Sequence, residues 1–174
     1  MKFNFTIFPE LKTERLLLRK ANFNDTKAVF DLRSCEEINK FVATKRVKNI
    51  EEAKDFINIC DKLYKEENRI FWLIHYKNEV IGSIVLHRIS LKDSFAEIGY
   101  KLKPTFQQKG FMSEALKEVL KFGFKSLDLK TIEAFTHKDN APSIALLEKN
   151  NFVLQPDKTD KGFEHNRIFK LVEN

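Results

Sequence analysis

Charged and apolar residues alternate over residues 13–20 (TERLLLRK), at the two-residue period of a strand with one buried face. The period then lengthens. Ala28, Val29, Leu32 and Cys35 fall at helical spacing behind Asn24 and Asp25, which offer a cap. Ala53, Phe56, Ile57, Cys60, Leu63 and Tyr64 form the buried stripe of a second helix, with Asn49 able to cap it while Glu52 reaches back. Strand runs follow over residues 70–76, 80–89 and 95–102, separated by the turns at 77–79 and 92–94, and they predict an antiparallel meander. Gly82, inside the second run, marks either a bulge or a close approach of backbone. The remaining elements are a helix from Phe111 to about Lys125 and a strand over residues 129–136. A third helix follows Asn140, with Pro142 in its first turn and a stop at Asn150 and Asn151. Strands over residues 152–154 and 163–172 complete the chain. The order β-αα-βββ-α-β-α-ββ predicts an α/β fold, one domain over residues 1–174, with a central mostly antiparallel sheet and helices on both faces.

Composition narrows this picture a little. The 174 residues are 43% hydrophobic with 17 Phe, enough for one sizeable core. No run approaches the roughly 18 apolar residues of a membrane span, and the N-terminus lacks the apolar core and small-residue cleavage site of a signal peptide. Cys35 and Cys60 stand apart with no disulfide or metal spacing, so both read as core thiols of a cytoplasmic protein, and no metal is expected. The formal charge of +6 comes from lysines scattered among acids on helix faces. No basic stripe interleaves with aromatics, and direct nucleic-acid binding is not expected. The oligomeric state cannot be read, and a homodimer stays open.

The chemistry concentrates in residues 96–116 (AEIGYKLKPTFQQKGFMSEAL), where a strand feeds a polar, glycine-containing loop that becomes a helix. The first N–H groups of such a helix lack intrahelical acceptors, and its dipole puts partial positive charge at the same end. With Lys109 in the loop, the stretch predicts a site for a phosphate-bearing ligand.

These residues, followed by Asn140, Ser143 and LLEKNNF, resemble the GNAT superfamily of acetyl-CoA-dependent N-acetyltransferases. The opening TERLLLRKANFNDTKAVFDL, with VIGSIVLHRI and AEIGY, resembles its branch of ribosomal-protein serine/alanine N-acetyltransferases. The resemblance implies that pantetheine lies along Tyr100, Lys101 and Leu102, and that the pyrophosphate lies on Gln107, Gln108, Lys109, Gly110, Phe111 and Met112. Gln108 stands where the family often has Gly, and Met112 where it often has a small residue. Asn140 would contact CoA, and Ser143 would sit near the leaving thiolate. Many members carry a tyrosine acid at the position held here by Leu147, so the usual proton donor is absent.

The general base is open. Glu97 alternates with Ala96 and Ile98 and is the preferred amine-orienting group or base, with His75 and His137 as rivals. Trp72 and the Tyr100 side chain read as core or cleft wall. The function implied is acetyl transfer from acetyl-CoA, the cosubstrate, to a primary amine by direct attack. The acceptor would be a protein N-terminal α-amino group or a small molecule such as a polyamine, amino acid or antibiotic. A non-catalytic CoA-binding module is the reading from a different class.

Overall fold

Each strand of the meander finds its neighbour in the expected order in the computed structural model, which describes residues 3–173. The strands are β1 (Leu11–Lys12), β2 (Leu16–Lys20), β3 (Ile70–Tyr76), β4 (Glu79–Ser90), β5 (Phe95–Leu102), β6 (Thr131–His137), β7 (Val153–Leu154) and β8 (Asn166–Val172). They form one sheet in the order β1-β2-β3-β4-β5-β6-β8-β7. Every pairing is antiparallel except β5 with β6, whose crossover contains the helix α4 (Phe111–Lys125). The other helices are α1 (Thr26–Ser34), α2 (Glu36–Asn39), α3 (Ile50–Lys65) and α5 (Ala141–Lys149).

Alternation along the strands divides the apolar residues between two faces. Trp72, Ile74, Ile84, Leu86, Ala96 and Ile98 pack with Leu116, Val119 and Phe122 of α4 and Leu147 of α5. Phe71 and Leu73 pack with Val29 and Leu32 of α1 and Ala53, Ile57 and Cys60 of α3. Helices therefore cover both faces. The N-terminal segment adds Phe3, Phe5 and Phe8 to the α4 side, and the backbone there is tied down by Trp72 Nε1 on Pro9 O (2.7 Å) and Tyr64 OH on Ile7 O (2.8 Å).

Several boundaries differ from the sequence reading, each for a local reason. Thr13 turns the chain, its N–H donating to Leu16 O and its Oγ1 accepting from Leu16 N–H. The strand expected from residue 13 thus starts at Leu16, and Leu11–Lys12 folds back to pair with it. Asn22, not Asn24 or Asp25, caps the turn before α1: its side chain accepts from Asn24 N–H, while the Asp25 carboxylate accepts from Asn22 N–H (2.9 Å). Cys35 is half-buried between α1 and α2, while Cys60 is buried. Leu129 closes the end of α4 through Gly123 O, which delays β6 to Thr131, and hydrogen bonds around Asp160 and Phe163 delay β8 to Asn166. Asn151 stops α5 in the left-handed region (φ 65°), and Asn49 caps α3 as expected.

Candidate active site

The sheet opens where the chemistry was expected. β5 and β6 pair only from Phe95–Thr131 to Ile98–Ala134, after which both strands continue without each other, to Leu102 and His137. The facing backbone edges of residues 99–102 and 135–137 are left open to a ligand. Gly82 shows why β5 can run here: a Cβ at that position would lie 2.3 Å from Lys101 O. The other feature expected of Gly82 is present beside it, a register shift in the β3–β4 pairing between Ile74 and His75.

Past Leu102 the chain makes one short turn and enters the loop before α4. Gly110 caps the helix with φ 80°, and Gln108, where the resemblance expects Gly, also lies in the left-handed region (φ 58°). The N–H groups of Gln108, Lys109 and Gly110 donate to no acceptor among the described residues. Those of Phe111 and Met112, in the first turn of α4, have no place in its ladder. Five successive N–H groups at this positive helix end therefore have no acceptor among the described residues. Lys109 turns its ammonium back onto Thr105 O (2.7 Å), and Gln107 donates to Leu102 O (3.1 Å). Arg15 braces the loop from outside, bonding Lys109 O and Glu114, and the Glu114 carboxylate also accepts from Thr13 Oγ1 and Arg15 N–H.

At the other end of the opening, Asn140 caps α5 by accepting from Ser143 N–H (3.3 Å). Ser143 Oγ is 2.8 Å from Tyr100 OH, so the fold joins one residue of the pantetheine strand to one of the helix expected beside the thiolate. Burial pushes the Tyr100 phenol up to about 12, with the Ser143 hydrogen bond pulling the other way. It is a proton donor at neutral pH. Leu147 is fully buried in the core, so the position that bears an acid in many relatives does not face the cleft.

A cavity of about 270 Å³ lies where the two strands part. Tyr100, Lys101, Asn140 and Ser143 line it, as do Phe41, Phe56 and Phe71 and, from the sheet, His87 and His137. Glu97 does not. It is on the expected face, opposite Ala96 and Ile98, but Arg88 folds over it (2.9 Å) from a bulge in β4 where Arg88 has φ 51°. Burial raises the Glu97 carboxyl above its ordinary range, against the pull of Arg88. Its Oε2 is 3.8 Å from His87 Nε2, and His87 reaches the cavity. Burial, then Arg69 and Arg88, push His87 down to about 4, so the imidazole is neutral. Of the two rival histidines, His137 lines the cavity, between the rings of Phe41 and His165. His75 stands apart, near Arg19 and Asp25.

Sequence reading missed His87, Arg33 and Arg69, all in the cavity wall. The signal was faint: Arg33 and Arg69 lie in the polar stretches DLRSCEE and KEENR, which read as helix ends, and His87 with Arg88 follows an apolar run, which reads as a strand end.

Comparison with known proteins agrees with this geometry. Residues 15–153 match the model of the acetyltransferase (GNAT) domain. The chain belongs to the GNAT acetyltransferase family. Among similar GNAT proteins is YoaA of Bacillus subtilis (strain 168), an uncharacterized N-acetyltransferase, 36% identical over 148 residues and covering 84% of each chain. Another is the acetyltransferase PseH of Campylobacter jejuni, 28% identical over 144 residues, 83% of this chain and 85% of PseH. In fold the chain is similar to RimL, a ribosomal alpha-N-protein acetyltransferase solved in complex with coenzyme A. The TM-score is 0.82 at 22% identity, over 94% of this chain and 98% of RimL. The open edge of β5 and the free N–H groups before α4 fit the two parts of CoA that a GNAT acetyltransferase must hold, an amide-bearing arm and a pyrophosphate.

Proposed function

We propose that the protein transfers the acetyl group of acetyl-CoA to a neutral primary amine, by direct attack of the nitrogen on the thioester carbonyl in a ternary complex. The observation that carries this reading is the parting of β5 from β6 after Ile98, which leads from the N–H-rich loop at Gly110 to the cavity beside Ser143. In this reading the backbone of Tyr100, Lys101 and Leu102 hydrogen-bonds pantetheine. The N–H groups of residues 108–112 receive the pyrophosphate, that of Gln107 being held by Pro104 O, and the Asn140 carboxamide borders the arm. Acetyl-CoA bound there supplies an activated acyl group; this chain supplies orientation and proton handling. The two thiols, which have no disulfide partner, suit a cytoplasmic enzyme.

Attack by the amine leaves a surplus proton on nitrogen and negative charge on the departing sulfur. Ser143 Oγ–H, backed by the Tyr100 hydroxyl, donates to that sulfur, in place of the tyrosine that Leu147 displaces. His87, kept neutral, orients the attacking nitrogen while the surplus proton leaves to solvent through the open cavity. Glu97, 3.8 Å behind the imidazole, keeps to the orienting half of the role expected of it rather than serving as the base. A backbone N–H of β5 is the partner for the carbonyl oxygen.

A protein N-terminal α-amino group is the first acceptor, following the ribosomal-protein branch that the sequence resembles. A small-molecule amine is the second, favoured by a cavity near the size of ordinary ligand pockets and walled by four phenylalanines. Following free thiol release with a panel of peptide N-termini and small amines tests both. Release with small amines alone would overturn the protein acceptor. CoA binding without release on any amine would overturn transfer itself and leave a CoA-binding module.

A further inference from the structure

The cavity wall holds two arginines, Arg33 from the last turn of α1 and Arg69 just before β3, together with the amine of Lys101 from β5, which burial and then Arg33 pull down to about 7; no carboxylate lines it among the described residues. Lys101 spends one donor on Asn39 Oδ1, whose own amide is fixed to Leu32 O and Cys35 O. The arginines are less well served. Both Nε atoms are buried with no hydrogen-bond partner, and neither guanidinium takes part in an ion pair among the described residues. Their shared neighbour is Cys60, a thiol that hydrogen-bonds Arg69 but that burial pushes up to about 11, so that it brings no negative charge. Burial holds Arg33 below its ordinary range, and the charge of Arg69 adds to that effect.

Two cations that repel one another across a half-buried pocket, with donors left unused, cost the fold free energy unless an anion visits them. Packing alone does not account for the pair. The Arg33 guanidinium carbon stands 3.7 Å from the centroid of the Phe56 ring, a cation–π contact that holds the charge at the cavity wall without giving it an anion. The site is also separate from the pyrophosphate loop. Arg33 and Arg69 stand on the α1–α3 side of the sheet, whereas residues 107–112 lie beyond the end of β5 before α4.

We infer that the acceptor amine carries an anionic group, a carboxylate or a phosphate, which seats between Arg33 and Arg69 while the nitrogen points along the cavity toward Ser143 and His87. This deepens the acetyltransferase reading above and rests on it for the direction of the amine. Anion binding itself does not depend on turnover. Lys101, in the same cavity wall, supplies a third donor to the same group.

Calorimetric titration of inorganic phosphate into protein saturated with CoA tests the anion seat without any acceptor, since the pyrophosphate site is then filled. Phosphate should bind, and Arg33→Met or Arg69→Met should weaken it by about 10- to 100-fold, the effect of losing a hydrogen bond to a charged group. Methionine keeps the side-chain volume over Phe56, and unchanged CoA affinity certifies each variant as folded. Binding of neither phosphate nor, in a parallel titration, acetate, or binding indifferent to both substitutions, overturns the inference. Matched acceptor pairs then separate the sources: ethanolamine phosphate against ethanolamine, and glycine against glycinamide. Faster thiol release with the anionic member of a pair supports the seat and says which anion it takes. Equal rates within both pairs would overturn it while leaving acetyl transfer standing, whereas phosphate binding with no release on any amine would sustain the seat and overturn transfer.

Discussion

Gly82→Ala presses on the point where the sheet opens. The added Cβ would stand 2.3 Å from Lys101 O, 3.1 Å from Leu102 Cδ1 and 3.2 Å from Leu102 Cα. A carbon normally comes no nearer a carbonyl oxygen than about 3.3 Å, so the β5 carbonyl must retreat by roughly 1 Å. The obstacle is backbone, which cannot swing aside as a side chain would. Overpacking of this kind costs about 1–3 kcal/mol, or about 3 to 10 °C in Tm for a chain of this size. The displaced residues are also those proposed to hold pantetheine, so CoA affinity should fall along with stability. Gly99→Ala is the control, because its Cβ would meet only Val85 Cγ1 at 3.4 Å, an ordinary contact. Urea denaturation and calorimetric titration of CoA on both variants measure the two effects. Gly82→Ala no less stable than wild type would refute the steric argument. A destabilised Gly82→Ala that binds CoA normally would refute the placement of pantetheine on β5.

Ser143→Ala should lower kcat by about 10²- to 10⁴-fold, and Tyr100→Phe by less. Because the two hydroxyls form one hydrogen-bonded unit, the double variant should be little worse than Ser143→Ala alone, and fully multiplicative losses in steady-state rates would count against the pairing. Burial opposes the Asp25 charge, but hydrogen bonds from Arg19 and Asn22 N–H outweigh it and hold the carboxyl below its ordinary range. Its contribution is therefore fully present above the unfolded value of about 3.9 and is lost as pH falls through the folded one. Asp25→Asn should cost about 1–3 kcal/mol at pH 7 and flatten the stability profile below about pH 4, as read by urea titrations at several pH values. Gln108→Gly should raise stability by up to about 1 kcal/mol by relieving the left-handed residue, with CoA affinity little changed; a drop beyond about 10-fold would mean that the Gln108 side chain, not its backbone, takes part in binding.

The strand–loop–helix around Gly110 was legible in the sequence because its determinants are local. A glycine, a short polar loop and an apolar stripe at helical spacing lie within one stretch of chain. The face of Glu97 was legible too, since alternation along a strand decides it. What alternation cannot reveal is the bulge that turns Arg88 over that carboxylate, for φ 51° at an arginine carries no sequence signature. The cavity wall was hidden for another reason. Arg33, Arg69 and Lys101 come from separate elements, and only the packing of α1 and α3 on the sheet brings them to one space. Leu147 was recognised as a departure from the family, yet only the core shows that its side chain has turned inward.

The parting of β5 from β6 also bears on how long the protein lasts in a cell. Two strand edges in the middle of a sheet, rather than at its rim, are left without partners, and these are sites where a foreign strand could add or local opening could begin. A cosubstrate that hydrogen-bonds along that seam acts as the missing rung of the ladder. At a concentration of 100 times its Kd it would add about 2.7 kcal/mol to the folded state. Abundance of this enzyme would then track the CoA pool, with starved cells clearing it by proteolysis sooner than well-fed ones, and no dedicated regulator would be required.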